Sequence, residues 1–259
     1  MTARFDPVAF SFGNFEFHWY GLMYLVGFAV GWCLGRYRAG KPNSGWSKTE
    51  VDDLLTWTML GAIIGGRLGY VLFYDLSSYI NNPSEILKIW HGGMSFHGGL
   101  LGVAAAFLYF AHSRKRAFLQ ISDFVAPLVP QAIFWGRIGN FINGELWGKT
   151  TDLPWGIVFP NAGPLPRHPS QLYEALLEGL LLFVILWIYS SKPRKPGAVS
   201  GLFALGYGIA RFLVEFVRLP DAHIGYLAFG WLTMGQLLCL PLIALGIWLL
   251  ARTVNDVRS

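Results

Sequence analysis

The sequence predicts an all-α integral membrane protein built as a bundle of seven transmembrane helices, and three observations support this fold class. Of the 259 residues, 54% are hydrophobic and only 14% are charged, whereas a soluble domain usually carries about 25% charged residues. Seven apolar stretches have about the 20 residues that a helix needs to cross the hydrocarbon core. The basic residues lie near the ends of these stretches and in short loops, as is typical of membrane proteins.

The seven stretches are expected to be helices, because a backbone in lipid must satisfy its own hydrogen bonds. Residues 1–259 should form a single transmembrane domain, with loops 75–94 and 142–170 as structured caps rather than linkers, since both contain Trp, Pro and Gly. The predicted spans are 18–37, 51–74, 95–112, 122–141, 171–190, 199–218 and 231–252.

The distribution of basic residues predicts the orientation of the bundle. With the amino terminus outside, twelve Lys and Arg residues lie on the cytoplasmic side and five on the outer side. Because cytoplasmic loops carry the excess of positive charge, we expect the amino terminus outside and the carboxyl terminus in the cytoplasm. The twelve are Arg36, Arg38, Lys41, Lys48, Arg114, Lys115, Arg116, Lys192, Arg194, Lys195, Arg252 and Arg258, and the five are Arg4, Lys88, Lys149, Arg167 and Arg218.

Several functional classes are disfavoured. The net charge of +5 is not arranged as the basic stripe of a nucleic-acid-binding protein, so no nucleic acid is expected as a partner. Cys33 and Cys239 each lie inside an apolar run and are read as buried small hydrophobic residues rather than a disulfide. The chain has no HExxH or paired-cysteine motif, so no metal site is expected. It also has no GxSxG motif and no Walker loop, which disfavours an intramembrane serine protease and a nucleotide-binding site.

Charged residues inside apolar spans are costly, and they usually face the interior of a bundle and mark function. Arg67 is one of these, in a segment where Gly61, Gly65 and Gly69 recur every four residues and favour close helix packing. Two interpretations of Arg67 remain open. It has a functional role, or it pairs with an acid near a helix end, such as Glu50 or Asp75.

Segment 135–145 carries a more specific pattern. Arg137 and Asn140 are three residues apart and share a helix face, among glycines that leave the backbone open to close approach. An Arg with amide neighbours suits a phosphate or carboxylate group, although a structural Arg–Glu pair is the alternative. Upstream, Pro127 and Pro130 should kink the helix between Asp123 and Arg137.

The sixth predicted helix is apolar except for one polar stripe. Its spacings of four, four and three residues place these side chains on one face, which should line a wet cavity. Arg211 and Glu215 are expected to pair, which would orient the guanidinium. The stripe consists of Tyr207, Arg211, Glu215 and Arg218.

Three further residues at the outer ends of predicted helices have two interpretations each. His97 begins the third span beside glycines that leave space, and it is either functional or an ordinary hydrogen-bonded histidine. Tyr20 is either functional or an interfacial aromatic residue. His168, before Pro169, is either functional or a loop or capping residue.

Four sequence motifs, which occur in order along the seven predicted spans, resemble those of a known family. The likeness runs from about residue 19 to residue 248. Each motif is moderately specific alone, and together they are strongly specific. The chain resembles the bacterial prolipoprotein diacylglyceryl transferases through HGGLLG (97–102), GRIGNFINGE (136–145), RHPSQLYE (167–174) and YGIARFLVEFVR (207–218).

The resemblance implies a reaction outside the bacterial inner (plasma) membrane. The diacylglyceryl group of phosphatidylglycerol is transferred to the lipobox cysteine in the signal peptide of a prolipoprotein, giving a thioether and glycerol-1-phosphate. The implied partners are therefore phosphatidylglycerol, the prolipoprotein and the lipid bilayer, and phosphatidylglycerol is a substrate rather than a cofactor. By motif, the family's important residues correspond to Tyr20, His97, Arg137, Asn140, Glu145, Gly148, Tyr207, Arg211 and Glu215.

The chemistry of the residues agrees with this implication. Arginines stabilise the charge that develops on a phosphate leaving group, and a thiol needs a base or a positive field to become a thiolate. His97 is the candidate base and Arg211 the rival, while Arg137 is expected to hold the phosphate. Two other classes stay open: a transporter or flippase of an anionic substrate, and a membrane phosphatase that acts on lipid phosphate.

Overall fold

The computed structural model describes residues 2–13, 15–42, 44–220 and 225–255, so that Arg258 of the predicted cytoplasmic set lies outside the described residues. The regular secondary structure of the described residues is helical apart from isolated bridges and one amino-terminal hairpin, in which β1 (Val8–Phe12) pairs antiparallel with β2 (Phe15–His18). This hairpin departs from the all-α prediction. Phenylalanines that alternate with smaller or polar residues favour strands, and the segment is too short to be a span.

The ends of the helical stretches lie within four residues of the ends of the predicted spans. The stretches 118–142 and 170–189 each contain more than one helix. Short 3-10 turns occur at Pro83–Leu87, Ile89–His91, Ala126–Leu128 and Pro160–Ala162, and a π-helix occurs at Ala175–Leu181. The α-helices are α1 (Trp19–Ala39), α2 (Lys48–Phe73), α3 (Leu76–Asn81), α4 (Phe96–Ser113), α5 (Phe118–Val125), α6 (Val129–Ile142), α7 (Ser170–Glu174), α8 (Leu182–Tyr189), α9 (Ala198–Val214) and α10 (Met234–Asn255).

Four helical stretches of the described chain are long and apolar enough to cross a membrane, which is the property of a helical membrane protein. They expose many large apolar side chains, among them Leu238 and Trp248 on α10, as expected of a surface that lipid covers. The α9 helix is also apolar but shorter. The four stretches are Lys48–Phe73, Phe118–Ile142, Ser170–Tyr189 and Met234–Thr253.

The chain divides into two compact units. Unit 1 contains Met1–Leu34 and Ser122–Ser259, and unit 2 contains Gly35–Ile121. The sequence-based prediction of a single domain stays a prediction.

Small residues and one amide bring α1 and α6 together in unit 1. A Cβ added to Gly27 would lie 3.3 Å from Cα of Ala132, and Gln131 Nε2 donates to the carbonyl of Gly27 at 2.9 Å. The α9 and α10 helices approach closely in the same way at Gly201 and Gly246. Close backbone approach of this kind is the usual means of helix packing in membranes.

Two irregularities shape the helices that carry the site in unit 1. The predicted proline kink is confirmed, because the 3-10 turn Ala126–Leu128 separates α5 from α6 and Pro127 supplies no N–H for a helical hydrogen bond. The π-helix that follows Glu174 was not predicted. Single π-turns inside α-helices occur frequently at functional sites.

Unit 2 is built on the packing of α2 against α4. The predicted role of the glycine repeat in α2 is confirmed, because its glycines face Gly98 and Gly102 of α4. A Cβ on Gly61 would lie 2.5 Å from the carbonyl oxygen of Gly102, and one on Gly69 would lie 2.7 Å from Cα of Gly98. In the first turn of α2, Glu50 pairs with Arg116 at 2.7 Å.

Candidate functional site

A fully buried carboxylate at the centre of unit 1 joins three arginines from two segments of the chain. Glu174, the last residue of α7, has no exposed surface. Its Oε2 lies 2.7 Å from Nε of Arg137. Its Oε1 accepts hydrogen bonds from Nη1 of Arg211 at 2.9 Å and from Nη1 of Arg218 at 2.7 Å. Together with Glu215, these residues are called the arginine cluster below.

One side of this cluster comes from α9 and the turn that follows it, and the predicted Arg211–Glu215 pair is confirmed. The second terminal nitrogen of Arg211 lies 2.8 Å from Oε2 of Glu215, one helical turn away. Arg211 is therefore held between two carboxylates, those of Glu174 and Glu215. Tyr207, one turn earlier, stacks on Phe203 with ring centroids 5.9 Å apart.

The start of α10 holds Glu215 from its other side. Thr233 caps this helix, since its hydroxyl accepts from the N–H of Gln236 at 3.2 Å and donates to Oε1 of Glu215 at 2.9 Å. A Cβ on Gly235 would lie only 2.6 Å from the same oxygen. The carboxylate thus lies at a helix amino terminus, where a negative charge is stabilised.

The arginine cluster has three positive and two negative members, so positive charge is in excess there. A further carboxyl group, Glu178 of the π-helix, is fully buried, and neither of its oxygens has a hydrogen-bond partner among the described residues. Burying charge is costly unless each group is paired. A compensating anion would therefore be favoured near the arginines, which suits a phosphate group.

Arg137 is the most exposed arginine of the cluster, with 20% of its side-chain surface accessible. The structural Arg–Glu pair considered from the sequence is present, with Glu174 as the partner. Asn140 links Arg137 to a polar network, accepting from Arg137 Nη1 at 3.4 Å and donating to Glu145 Oε1 at 2.8 Å. Gln171 completes the network by donating to the Glu145 carbonyl at 2.6 Å.

Tyr20 and Gly148 are the other predicted site residues of unit 1. Tyr20 packs on Gly139 of α6, and its hydroxyl lies 3.0 Å from that of Tyr24. Gly148 is buried at a backbone junction, where its N–H donates to the His168 carbonyl at 2.9 Å. A Cβ there would lie 2.5 Å from the Val217 carbonyl oxygen, so the junction admits only glycine.

His168 belongs to the loop of unit 1. Its Nδ1 lies 3.2 Å from the hydroxyl of Tyr173, which accepts a hydrogen bond from Trp155 Nε1 at 2.8 Å. Partial burial, with a smaller contribution from Lys149, lowers the pKa of His168. A neutral imidazole that accepts a hydrogen bond from the Tyr173 hydroxyl fits this environment, in keeping with the interpretation of His168 as a loop residue.

The remaining predicted residues, His97 and Arg67, belong to unit 2. His97 lies in the first turn of α4 with an exposed side chain. Arg67 is 4% exposed and donates to backbone carbonyls of residues 85–93. The interpretation that Arg67 pairs with an acid such as Glu50 or Asp75 is wrong, because its donors bind backbone carbonyls and Glu50 pairs with Arg116 instead.

Two buried carboxyl groups were not predicted as site residues: Glu174, which organises the cluster, and Glu178 of the π-helix. Both lie in the predicted fifth span, four residues apart, so the cost of intramembrane charge that singled out the arginines would have found them too. No group of three His, Cys, Asp or Glu side chains in the described ranges could hold a metal ion.

Apolar helices around a buried cluster of arginines and carboxylates define a helical membrane protein with a polar interior site. The family model of the prolipoprotein diacylglyceryl transferases matches residues 7–252. The chain belongs to this family and is a transferase.

Curated relatives carry the name phosphatidylglycerol–prolipoprotein diacylglyceryl transferase. One from Solidesulfovibrio magneticus is 62% identical over 99% of this chain and 97% of its own length. Another, from Nitratidesulfovibrio vulgaris strain DP4, is 63% identical over 95% of this chain and 94% of its own length. A Pseudomonas aeruginosa relative (strain LESB58) is 58% identical over 95% and 93%, respectively.

Proposed function

We propose that this chain transfers the sn-1,2-diacylglyceryl group of phosphatidylglycerol to the lipobox cysteine thiol of prolipoproteins. The family match and the names of the full-length relatives support this activity over that of a transporter or flippase. The observation that carries the proposal in the molecule itself is the arginine cluster. Three arginines on two carboxylates have the charge that a phosphodiester substrate would neutralise.

The reaction exchanges one bond to carbon for another. The thiol loses its proton, the sulfur attacks the terminal glyceryl carbon, and the carbon–oxygen bond to phosphate breaks. The bonding electrons leave on oxygen, so that a thioether and glycerol-1-phosphate form. Guanidinium groups at the phosphate stabilise the charge that develops on this leaving group, and the step needs no diffusible cofactor.

The predicted residues take distinct roles in this proposal. Arg137 holds the phosphate, because it is the most exposed member of the cluster and is oriented by Glu174 and Asn140. Arg211 adds positive field from its fixed position between two carboxylates. His97 is the candidate base that takes the thiol proton. The residues proposed to shape the substrate site are Tyr20, Asn140, Glu145, Gly148, Tyr207 and Glu215.

We also propose seven membrane crossings, with the amino terminus outside and the carboxyl terminus in the cytoplasm. Besides the four long apolar stretches, α1 has 21 residues and α4 has 18, lengths of roughly 30 Å at about 1.5 Å per residue. The α9 helix, with 17 residues, would be the seventh. The protein would lie in the bacterial inner membrane, with its site toward the outer face, where it meets lipoprotein precursors.

A release assay tests the proposed function. Purified protein is mixed with phosphatidylglycerol that is labelled in its headgroup, with and without a lipobox peptide. We expect glycerol-1-phosphate only when the peptide is present, together with a thioether on its cysteine. Release of phosphate without the peptide would indicate a phosphatase, and no cleavage in either mixture would leave a transporter as the better hypothesis.

A further inference from the structure

Arg67 of α2 donates all five of its N–H groups to carbonyls of one segment of unit 2. An arginine has five such donors and no acceptor. Nε donates to Ile86 O at 2.9 Å, Nη1 to Gly93 O at 3.0 Å and to Gly92 O, and Nη2 to Lys88 O at 3.3 Å and to Glu85 O. With every donor used, Arg67 has none left for a substrate phosphate.

The residue beside Arg67 holds the other end of the same segment. The carbonyl of Gly66 accepts the N–H of Ser95 at 2.8 Å. The Ser95 hydroxyl in turn caps α4 by accepting the N–H of Gly98 at 3.2 Å. His97 lies two residues after Ser95, in the first turn of α4. One turn of α2 therefore binds the chain from residue 85 to the helix that carries His97.

We propose that Arg67 is a positioning residue for the transfer reaction. By holding segment 85–95 against α2, Arg67 fixes the position of His97. The proposal rests on the proposed function, since it assigns Arg67 an effect through His97. Gly92 and Gly93 have φ of +83° and +78°, so this stretch has little conformational restraint of its own. The body of α4 is held separately, by its glycine contacts with α2.

The main test is a double-mutant cycle with Arg67→Lys and His97→Gln in the glycerol-1-phosphate release assay. A lysine has three donors on a flexible chain and cannot replace the five-fold contact. We expect kcat of Arg67→Lys to fall by about 10²-fold, the effect of a misplacement of about 1 Å, with KM for phosphatidylglycerol unchanged. The double variant should be no slower than His97→Gln alone, because the two changes remove the same contribution.

Gly93→Ala disturbs the same contact while keeping Arg67. Its Cβ would lie 2.7 Å from Arg67 Nη1, at a backbone φ that only glycine adopts readily. This variant should also lose kcat and show no further loss in the His97→Gln background. Arg116→Lys is the control, since this guanidinium of unit 2 pairs with Glu50 and lies 4.2 Å from the Trp46 ring centroid. The control should keep the wild-type kcat.

Each other outcome has a distinct meaning. Losses that multiply in the double variant would overturn the role of Arg67 and leave the proposed function intact. A fully active His97→Gln protein would overturn both the role of His97 and that of Arg67, whereas an inactive wild-type protein would contradict the proposed function itself. If neither Arg67→Lys nor Gly93→Ala yields a folded, monodisperse protein, the contact serves the fold as a whole and the proposal fails.

Discussion

Arg137 is the residue whose chemistry can be tested most directly. Its Nε is bound to Glu174 while part of its side chain stays exposed, so its terminal nitrogens are the proposed contact to the phosphate. Arg137→Lys keeps the charge but loses the planar fork, and we expect most of the turnover to be lost. Turnover per folded molecule is the measurement, and near-normal turnover in a folded Arg137→Ala protein would contradict this assignment.

Glu174 and Glu178 are both buried carboxyl groups, but substitution by Gln should affect the stability of the protein differently at the two positions. Glu174→Gln leaves three arginines without a shared counter-charge, and breaking a buried pair in this way typically costs about 3–5 kcal/mol. Glu178→Gln removes a carboxyl group whose oxygens have no partner among the described residues, so stability should be unchanged or higher. Unfolding titrations in mixed micelles measure both, and equal losses in the two variants would contradict the central role of Glu174.

The two candidates for activating the thiol, His97 as a base and Arg211 through its positive field, predict different pH dependences of the reaction. If His97 is the base, His97→Gln should lower turnover by about 10²–10⁴-fold. The loss should shrink as the pH approaches the free thiol's pKa of about 8.5, because solution thiolate then replaces the base. If the field of Arg211 makes the thiolate, Arg211→Gln should show this rescue instead. The pH–rate profiles of both variants decide, and a loss at every pH for His97→Gln would assign it to orientation or support.

At the scale of the element, α9 depends on a cap that another helix supplies. Asp123 of α5 accepts the N–H of Gly197 at 2.7 Å and the N–H and hydroxyl of Ser200 at 2.8 and 2.6 Å. The two N–H groups are donors that the start of a helix otherwise leaves unsatisfied. Because α9 carries Arg211, the position of its first turn matters for the arginine cluster.

Asp123→Ala should therefore destabilise the protein by about 1–3 kcal/mol, the cost of leaving buried donors without a partner. Asp123→Asn is the matched control, because its amide oxygen can still accept one of these hydrogen bonds, and it should lose less. Thermal unfolding in detergent gives the comparison. An Asp123→Ala protein as stable as wild type would show that water or the chain itself satisfies these donors.

At the scale of the whole molecule, the proposed topology has a direct test. The excess of basic residues predicts which loops are cytoplasmic. Reporter fusions at Lys41, Lys115 and Arg194 should read cytoplasmic, and fusions within 75–94 and 142–170 should read outside. A consistently inverted pattern would reject the orientation and would place the site on the wrong side for lipoprotein precursors.

The helices can be predicted from the sequence because their determinants lie within each segment. These are the length of an apolar stretch and the cost of unsatisfied backbone polar groups in lipid. The role of the glycine repeat in α2 is predictable for the same reason, since small residues at every fourth position permit close packing whichever helix is the partner. The amino-terminal hairpin and the π-helix after Glu174 were not predicted. The hairpin follows a local alternation of phenylalanines that is shorter than a span, whereas the π-helix depends on details of hydrogen bonding that the composition does not encode.

The class of this protein, its helices and most of its charged interior residues can be derived from hydrophobic patterns and residue spacing alone. The partners of those charges become known only from the packed helices. Arg137 and Arg211 meet at Glu174, and Arg67 binds carbonyl groups instead of an acid. The physical reason is that a single helix specifies contacts only three or four residues away, whereas partners farther along the chain meet only after the helices have packed.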